Sequence, residues 1–304
     1  MIKKTLAGQT MAFPLFTFGG MFYWVDRHSY AGWRIQESIW LRRCRLLDPF
    51  NVRRASGSFE LCYDMMLYFL RAWEVPQPPT EAAVVIHGLF QRPAGYEAMI
   101  RGLKKNFEPI FFSYPMLRFD LMKSARALNA VLDRRRDVSR FHFVAVGYGG
   151  LILRQAVAMN PPWLKKTGRT VFIAVPNQGC GLAEKYHEKW WYSRLLGQAG
   201  DAVLPKTVSL LPPVNGDFAV ISGGRDDGKG YFSKIKGDND GILSVAETKL
   251  NGAKEDYLVM DSSHFSLHRN ERVISMTDSF LATGRLGRRQ RIRKEQSYTN
   301  LWDN

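Results

Sequence analysis

The chain has 304 residues, of which 45% are hydrophobic and 23% charged. This balance suits one large α/β domain with an appendage and excludes an intrinsically disordered chain. Lysine and arginine number 43 against 28 aspartate and glutamate residues, a formal net charge of +15; such an excess fits an anionic partner (nucleic acid, an acidic membrane surface or an acidic protein) and equally fits a basic protein with no such partner.

From Leu6 to Val25 there is no charged residue. Lys3 and Lys4 precede the run, and Asp26, Arg27 and His28 follow it. It has the length of a bilayer crossing, yet Gln9, Thr10, Pro14, Thr17 and Gly19-Gly20 interrupt it. No small-residue cleavage site follows, which argues against a removed signal peptide. Packing against the rest of the chain, contact with a membrane interface and a true span all remain open readings.

Residues 30–47 place Trp33, Ile35, Ile39, Trp40, Leu46 and Leu47 near helical spacing and predict a helix that Asp48-Pro49 ends. Residues 59–73 predict a second apolar helix, and P-Q-P-P at 76–79 marks a linker. Residues 1–80 therefore read as an apolar, basic, helical extension. Its three-cysteine complement with the remainder of the chain, Cys44, Cys62 and Cys180, has no zinc spacing and cannot pair completely within one molecule. No metal and no cofactor is expected, and a reducing compartment is the simplest setting, so the chain is expected in the cytoplasm or at a membrane.

Beyond residue 80 short apolar runs alternate with helical stretches. Strands are predicted at 83–86, 110–114, 141–146, 170–175, 218–222 and 256–260, with helices at 119–135 and 149–159 between them. The pattern implies a mostly parallel twisted sheet with helices on both faces. Residues 285–304 form a basic tail.

The stretch V-A-V-G-Y-G-G-L, residues 144–151, is a strand running into a turn and a helix, with the small residues Ala145, Gly149 and Gly150 around it. Glycines after a strand also suit a phosphate loop, but G-x-G-x-x-G is incomplete and no Lys-Ser or Lys-Thr follows, which argues against a nucleotide. The first strand ends in V-V-I-H-G-L-F (84–90); A-V-P-N-Q-G-C-G (174–181) follows the fourth; G-D-N-D-G-I-L-S-V (237–245) and D-S-S-H-F-S-L-H (261–268) follow the fifth and sixth.

These segments, over residues 82–284, resemble the α/β-hydrolase superfamily, nearest to lipases and esterases. The resemblance implies a nucleophile elbow at 144–151, an oxyanion loop at His87-Gly88 and a triad in the order nucleophile, acid, base. Asp240 matches the acid and His264 the base, with Asp226, Asp227 and His268 as weaker alternatives. The amide of Leu89 or Phe90 would be one oxyanion donor and that of Tyr148 the other, while His87 shapes its turn. Residues 181–215 would form a helical cap, with Trp190, Trp191, Tyr192, Leu195 and Leu196 lining an apolar pocket or simply packing.

The pattern departs from the superfamily at its central residue. Gly147 stands where a serine is expected. Neither Cys180 nor Tyr148 has the setting to replace it. The expectation is a pseudo-hydrolase that binds a hydrophobic acyl, carboxylate or lipid-like ligand. The alternatives are a weak hydrolase using a His264-activated water, a glycine placed deliberately to trap a substrate, and a membrane-associated scaffold whose basic segments meet an anionic membrane surface. No nucleic-acid reader motif is present.

Overall fold

A computed structural model describes residues 22–116 and 118–287. Most of the uncharged run at 6–25 and all but three residues of the basic tail lie outside these described residues. Among the described residues no helix is long and apolar enough to cross a membrane.

The first predicted helix is instead an antiparallel meander of β1 (Trp24–Tyr30), β2 (Trp33–Ser38), β3 (Cys44–Leu47) and β4 (Arg53–Gly57). The physical reason is local. Ala31 and Gly32, with φ of 49° and 83°, form a two-residue turn of positive φ whose twist suits a hairpin. Strand β2 then alternates Trp33 and Ile35 with Arg34 and Gln36, a period of two. Trp33, Ile35 and Leu46 pack on α1 (Phe59–Ala72), against Cys62 and Met66. The other face is polar but also buried: Gln36 donates to Asp26 at 2.8 Å, and Arg45 donates to Gln36. The chance spacing of Trp33 and Trp40 imitates a helix, while the alternation that specifies the strand is half hidden by polar residues. Helix α1 starts where the sequence predicts, with Ser58 accepting from the Leu61 amide.

The remaining chain runs β5 (Glu81–Ile86), α2 (Glu97–Leu103), β6 (Glu108–Phe112), α3 (Leu121–Asp133), β7 (Arg140–Val146), α4 (Tyr148–Ala158) and β8 (Thr167–Ile173). Four short helices follow, α5 (Gly181–Tyr186), α6 (Trp190–Leu196), α7 (Gln198–Ala202) and α8 (Pro205–Val208). Then come β9 (Phe218–Gly224), α9 (Val245–Thr248), β10 (Glu255–Met260) and α10 (Glu271–Thr283). The six strands form one parallel sheet in the order β10-β9-β8-β7-β5-β6. Val84 and Ile86 pack on the face covered by α3 and α4, Ala83 and Val85 on the face covered by α2 and α10. Burial on both faces explains why these strands read as continuous apolar runs.

Strand order reverses between β5 and β7: the chain leaves β5 toward β6 on one side and leaves β7 toward β8 on the other. Connections that diverge in this way leave a crevice at the carboxyl ends of the two strands, the place where open α/β sheets bind ligands.

The meander is tied to the sheet by buried polar groups. Asp26 and Ser113 exchange hydrogen bonds, the Asp26 amide donating to Ser113 O and the Ser113 amide to Asp26 Oδ2. Burial raises the Asp26 carboxyl above its ordinary value, against the pull of Arg34. Glu108 accepts from the Ala31 amide at 2.7 Å and pairs with Arg135, which also donates to Ser29 O at 2.9 Å. Burial pulls the Arg135 guanidinium down, and its bonds to Asp137 and Glu108 more than offset this. Arg135→Met should strand the Glu108 charge and destabilise the chain by about 3–5 kcal/mol, read as a lower denaturant midpoint. Adding Glu108→Gln should restore part of the loss; an unchanged midpoint in the single variant would show that this pair does not hold the junction.

Candidate active site

The elbow stands at the strand-order reversal. Gly147 stands between β7 and α4 with φ 51° and ψ −123°, its amide donating to Ile173 O at 2.9 Å. Helix α4 then passes directly over the end of β5. A Cβ on Gly149 would stand 2.3 Å from Ile86 O and 2.8 Å from His87 O, and one on Gly150 would stand 2.4 Å from the Val175 side chain. Glycine is required at 149 because the obstructing atoms are backbone. Position 147 differs: a Cβ there would have Gly88 Cα at 3.6 Å, His264 Nε2 at 3.7 Å and Ala174 O at 3.8 Å, all ordinary contacts. The space for a side chain exists, and only the backbone conformation favours glycine.

Asp240 and His264 come together beside it. The Asp240 Oδ1 accepts from the Ile242 and Leu243 amides at 2.9 and 2.8 Å, and Oδ2 lies 2.8 Å from His264 Nδ1. The His264 amide also donates to Asp240 O at 2.9 Å. A carboxylate at Nδ1 favours the tautomer protonated there, which leaves Nε2 as the basic nitrogen facing position 147. Asp227 instead accepts from the Lys229 and Gly230 amides of its own turn, and Asp238 accepts from the amides of Arg225 and Asp226. Asp226 and Asp227 make no contact with His264 among the described residues.

The oxyanion loop separates the candidate donors. The Phe90 amide donates to Met116 Sδ at 3.1 Å, whereas the Leu89 and Tyr148 amides have no acceptor among the described residues. His87 lies buried and stacked on Tyr114, ring centroids 4.4 Å apart, with Nδ1 2.9 Å from Gly88 O. Burial pushes its pKa down to about 4, so the ring is neutral and packs. Behind it Gln91 accepts from the Gly88 amide at 2.9 Å and from the Tyr96 hydroxyl, and its Nε2 lies 3.4 Å from His268 Nδ1. Burial holds His268 down to about 4 as well. His268 thus buttresses the loop rather than facing Gly147. Gln91 and Tyr96 were not singled out in the sequence, and only the position of Gln91 just past the His-Gly pair hints at their role.

A cavity of about 240 Å³ lies over Gly147, Tyr148 and His264. Its wall is almost wholly apolar. Trp191, Tyr192 and Leu196 of the cap line it, but Trp190 and Leu195, expected to do the same, point outward with 78% and 55% of their surface exposed. Cys180 also lines it, and burial pushes its thiol up to about 11, so it stays protonated and unreactive near neutrality. Arg154 of α4, buried and facing away from the cavity's chemistry, donates to the carbonyls of Asn177, Val208, Leu211 and Pro212 and so fastens the base of the cap to the elbow helix. Burial lowers its guanidinium to about 10. Like Met116, Arg154 carries no sequence signature of its role.

The arrangement can orient a histidine and enclose an apolar group, and it leaves the Leu89 and Tyr148 amides without a protein acceptor among the described residues. It lacks a side-chain oxygen at 147.

No protein-family profile matches the sequence, and no curated protein sequence matches it. Among solved structures, the chain is similar to the mature form of lipase BlEst2 from Bacillus licheniformis, with 19% identity and a TM-score of 0.53 over 65% of this chain and 90% of that one. The propeptide form of the same lipase gives the same identity and TM-score, but this chain spans only 49% of its length. At such identity the likeness speaks to architecture alone, and with the six-stranded parallel sheet flanked by helices it establishes that the chain has the α/β-hydrolase fold.

Proposed function

We propose that the chain is a lipase- or esterase-like protein that binds a short acyl, carboxylate or lipid-like ligand without forming a covalent intermediate. The observation that carries this reading is Gly147 itself, in the elbow conformation, beneath an apolar cavity and facing the His264–Asp240 pair. A serine hydrolase needs the oxygen that glycine lacks; orientation of the histidine, amide donors and acyl binding do not need it. The cavity falls below the roughly 300–1,000 Å³ typical of drug-sized ligands, which favours a short chain or a small ring.

A second reading has its own support. The unfilled space between Gly147 and His264 Nε2 is where a water could take the place of the serine hydroxymethyl group, with His264 as its general base. That reading expects slow ester turnover in the unmodified chain, lost in His264→Ala.

A fluorophosphonate probe should leave the protein unlabelled; stoichiometric labelling at any residue overturns the nucleophile-free reading. Gly147→Ser should gain hydrolysis of short p-nitrophenyl esters because the added Cβ meets only ordinary contacts, at a stability cost of roughly 1–3 kcal/mol from the backbone conformation. That gained activity should fall at least about a hundredfold with His264→Ala, in line with loss of a general base. A folded Gly147→Ser chain with no activity would remove the assignment of this pair. Calorimetric titration with ethyl octanoate should give saturable binding without consumption, abolished by Ala183→Trp, which fills the cavity. A folded chain that binds nothing at millimolar ester is not the proposed protein.

A further inference from the structure

The meander carries a feature that the pocket does not explain. Between β2 and β3 the chain turns through Ile39, Trp40, Leu41 and Arg42. Trp40 and Leu41 stand at this tip with 60% and 66% of their surface exposed. The turn is rigid: Ser38 Oγ accepts from both their amides, the Arg42 amide donates to Ser38 O, and the Ser38 amide donates to Arg43 O. The Trp40 ring is held from two sides, by Tyr23 at 4.5 Å between centroids and by the Arg118 guanidinium at 5.7 Å. An adjacent tryptophan and leucine fixed in water on a stiff turn are costly unless something apolar covers them.

Their surroundings are cationic. Under the tip lies a groove of about 370 Å³ floored by Ile39 and Phe119 and walled by Arg42, Lys123 and Arg126. Among the described residues the only acidic one lining it, Glu37, is paired with Arg27 at 3.3 Å. The Arg42 and Arg126 side chains have no ion pair or hydrogen bond among the described residues. Two further facts give the face a direction. The uncharged stretch of residues 6–21 joins the described fold at Phe22-Tyr23, and Tyr23 is the residue against which Trp40 packs. The loop after β6 links the tip to the oxyanion loop, since Arg118 lies over Trp40 while Met116 accepts from the Phe90 amide. The tip therefore stands at the carboxyl end of the sheet, the end at which the cavity lies.

We propose that the β2–β3 tip and the groove beneath it form a docking face for a bilayer rich in anionic phospholipid, with Trp40 and Leu41 entering the interface and Arg42 and Arg126 meeting lipid phosphates. Apolar and aromatic side chains flanked by arginine are what such an interface selects. Nucleic acid would match the arginines but would leave Leu41 without an apolar cover. The inference is independent of what the cavity binds.

Sedimentation of the full chain with vesicles of phosphatidylcholine, alone or mixed with phosphatidylglycerol, tests it. Binding should favour the anionic vesicles. Trp40→Ala with Leu41→Ser should weaken it at least about tenfold through lost apolar burial. Arg42→Gln with Arg126→Gln should weaken it about fivefold per charge, so about twenty-five-fold together. Both double variants alter exposed side chains and should keep the thermal midpoint of the parent, and millimolar inorganic phosphate should not displace the chain. The proposal is overturned if the folded variants sediment like the parent, if free phosphate displaces it, or if duplex DNA is bound through these residues while vesicles are not.

Discussion

The site depends on how closely α4 crosses the end of β5. The carbonyls of Ile86 and His87 would lie within 2.8 Å of a Cβ at 149, so the crossing exists only with glycine there. That approach lifts residue 147 above the sheet and sets the first amides of α4 beside the loop that follows β5. Because β5 and β7 are the strands at which the sheet order reverses, the two loops diverge and leave a hollow between them. The cap, the histidine and the acid are arranged around a geometry that backbone contact has already settled.

Within this frame, the parts that position a reaction are separable from the atom that begins one. The Asp240 carboxylate is held by two amides before it meets His264, and the oxyanion loop is braced from behind by Gln91, Tyr96 and His268. These are hydrogen-bonded arrangements of buried groups, although the Nε2 of His268 has no hydrogen-bond partner among the described residues. Position 147 is the opposite case. A Cβ there would meet only ordinary contacts at 3.6–3.8 Å, so the packing around position 147 does not depend on which small residue stands there.

The sheet was legible because strands buried on both faces are written as unbroken apolar runs, and the elbow because steric crowding confines its neighbours to small residues. That Asp240 and His264 lie side by side was legible through the order in which the resemblance placed them along the chain. The meander at 24–57 was not: its inner polar face, Asp26, Arg34 and Gln36, is satisfied by partners from its own sheet and from the loop after β6, and pairing over such separations leaves no local mark. The same holds for Glu108 and Arg135, for Met116, and for the outward turn of Trp190 and Leu195, where tertiary packing decides which side of a short helix faces the cavity.

Arg154 has one further consequence. Its guanidinium is spread over four carbonyls of residues 177–212 and pairs with no carboxylate among the described residues. Raising that part of the cap would leave a cation in an apolar interior, a state of high energy. Both ends of the cap are thus anchored to the elbow helix, and the span between them, where α6 presents Trp190 and Leu195 to the outside, has no such anchor to it among the described residues. The placement of that whole segment is thus set by a charge that lies outside the cavity it encloses.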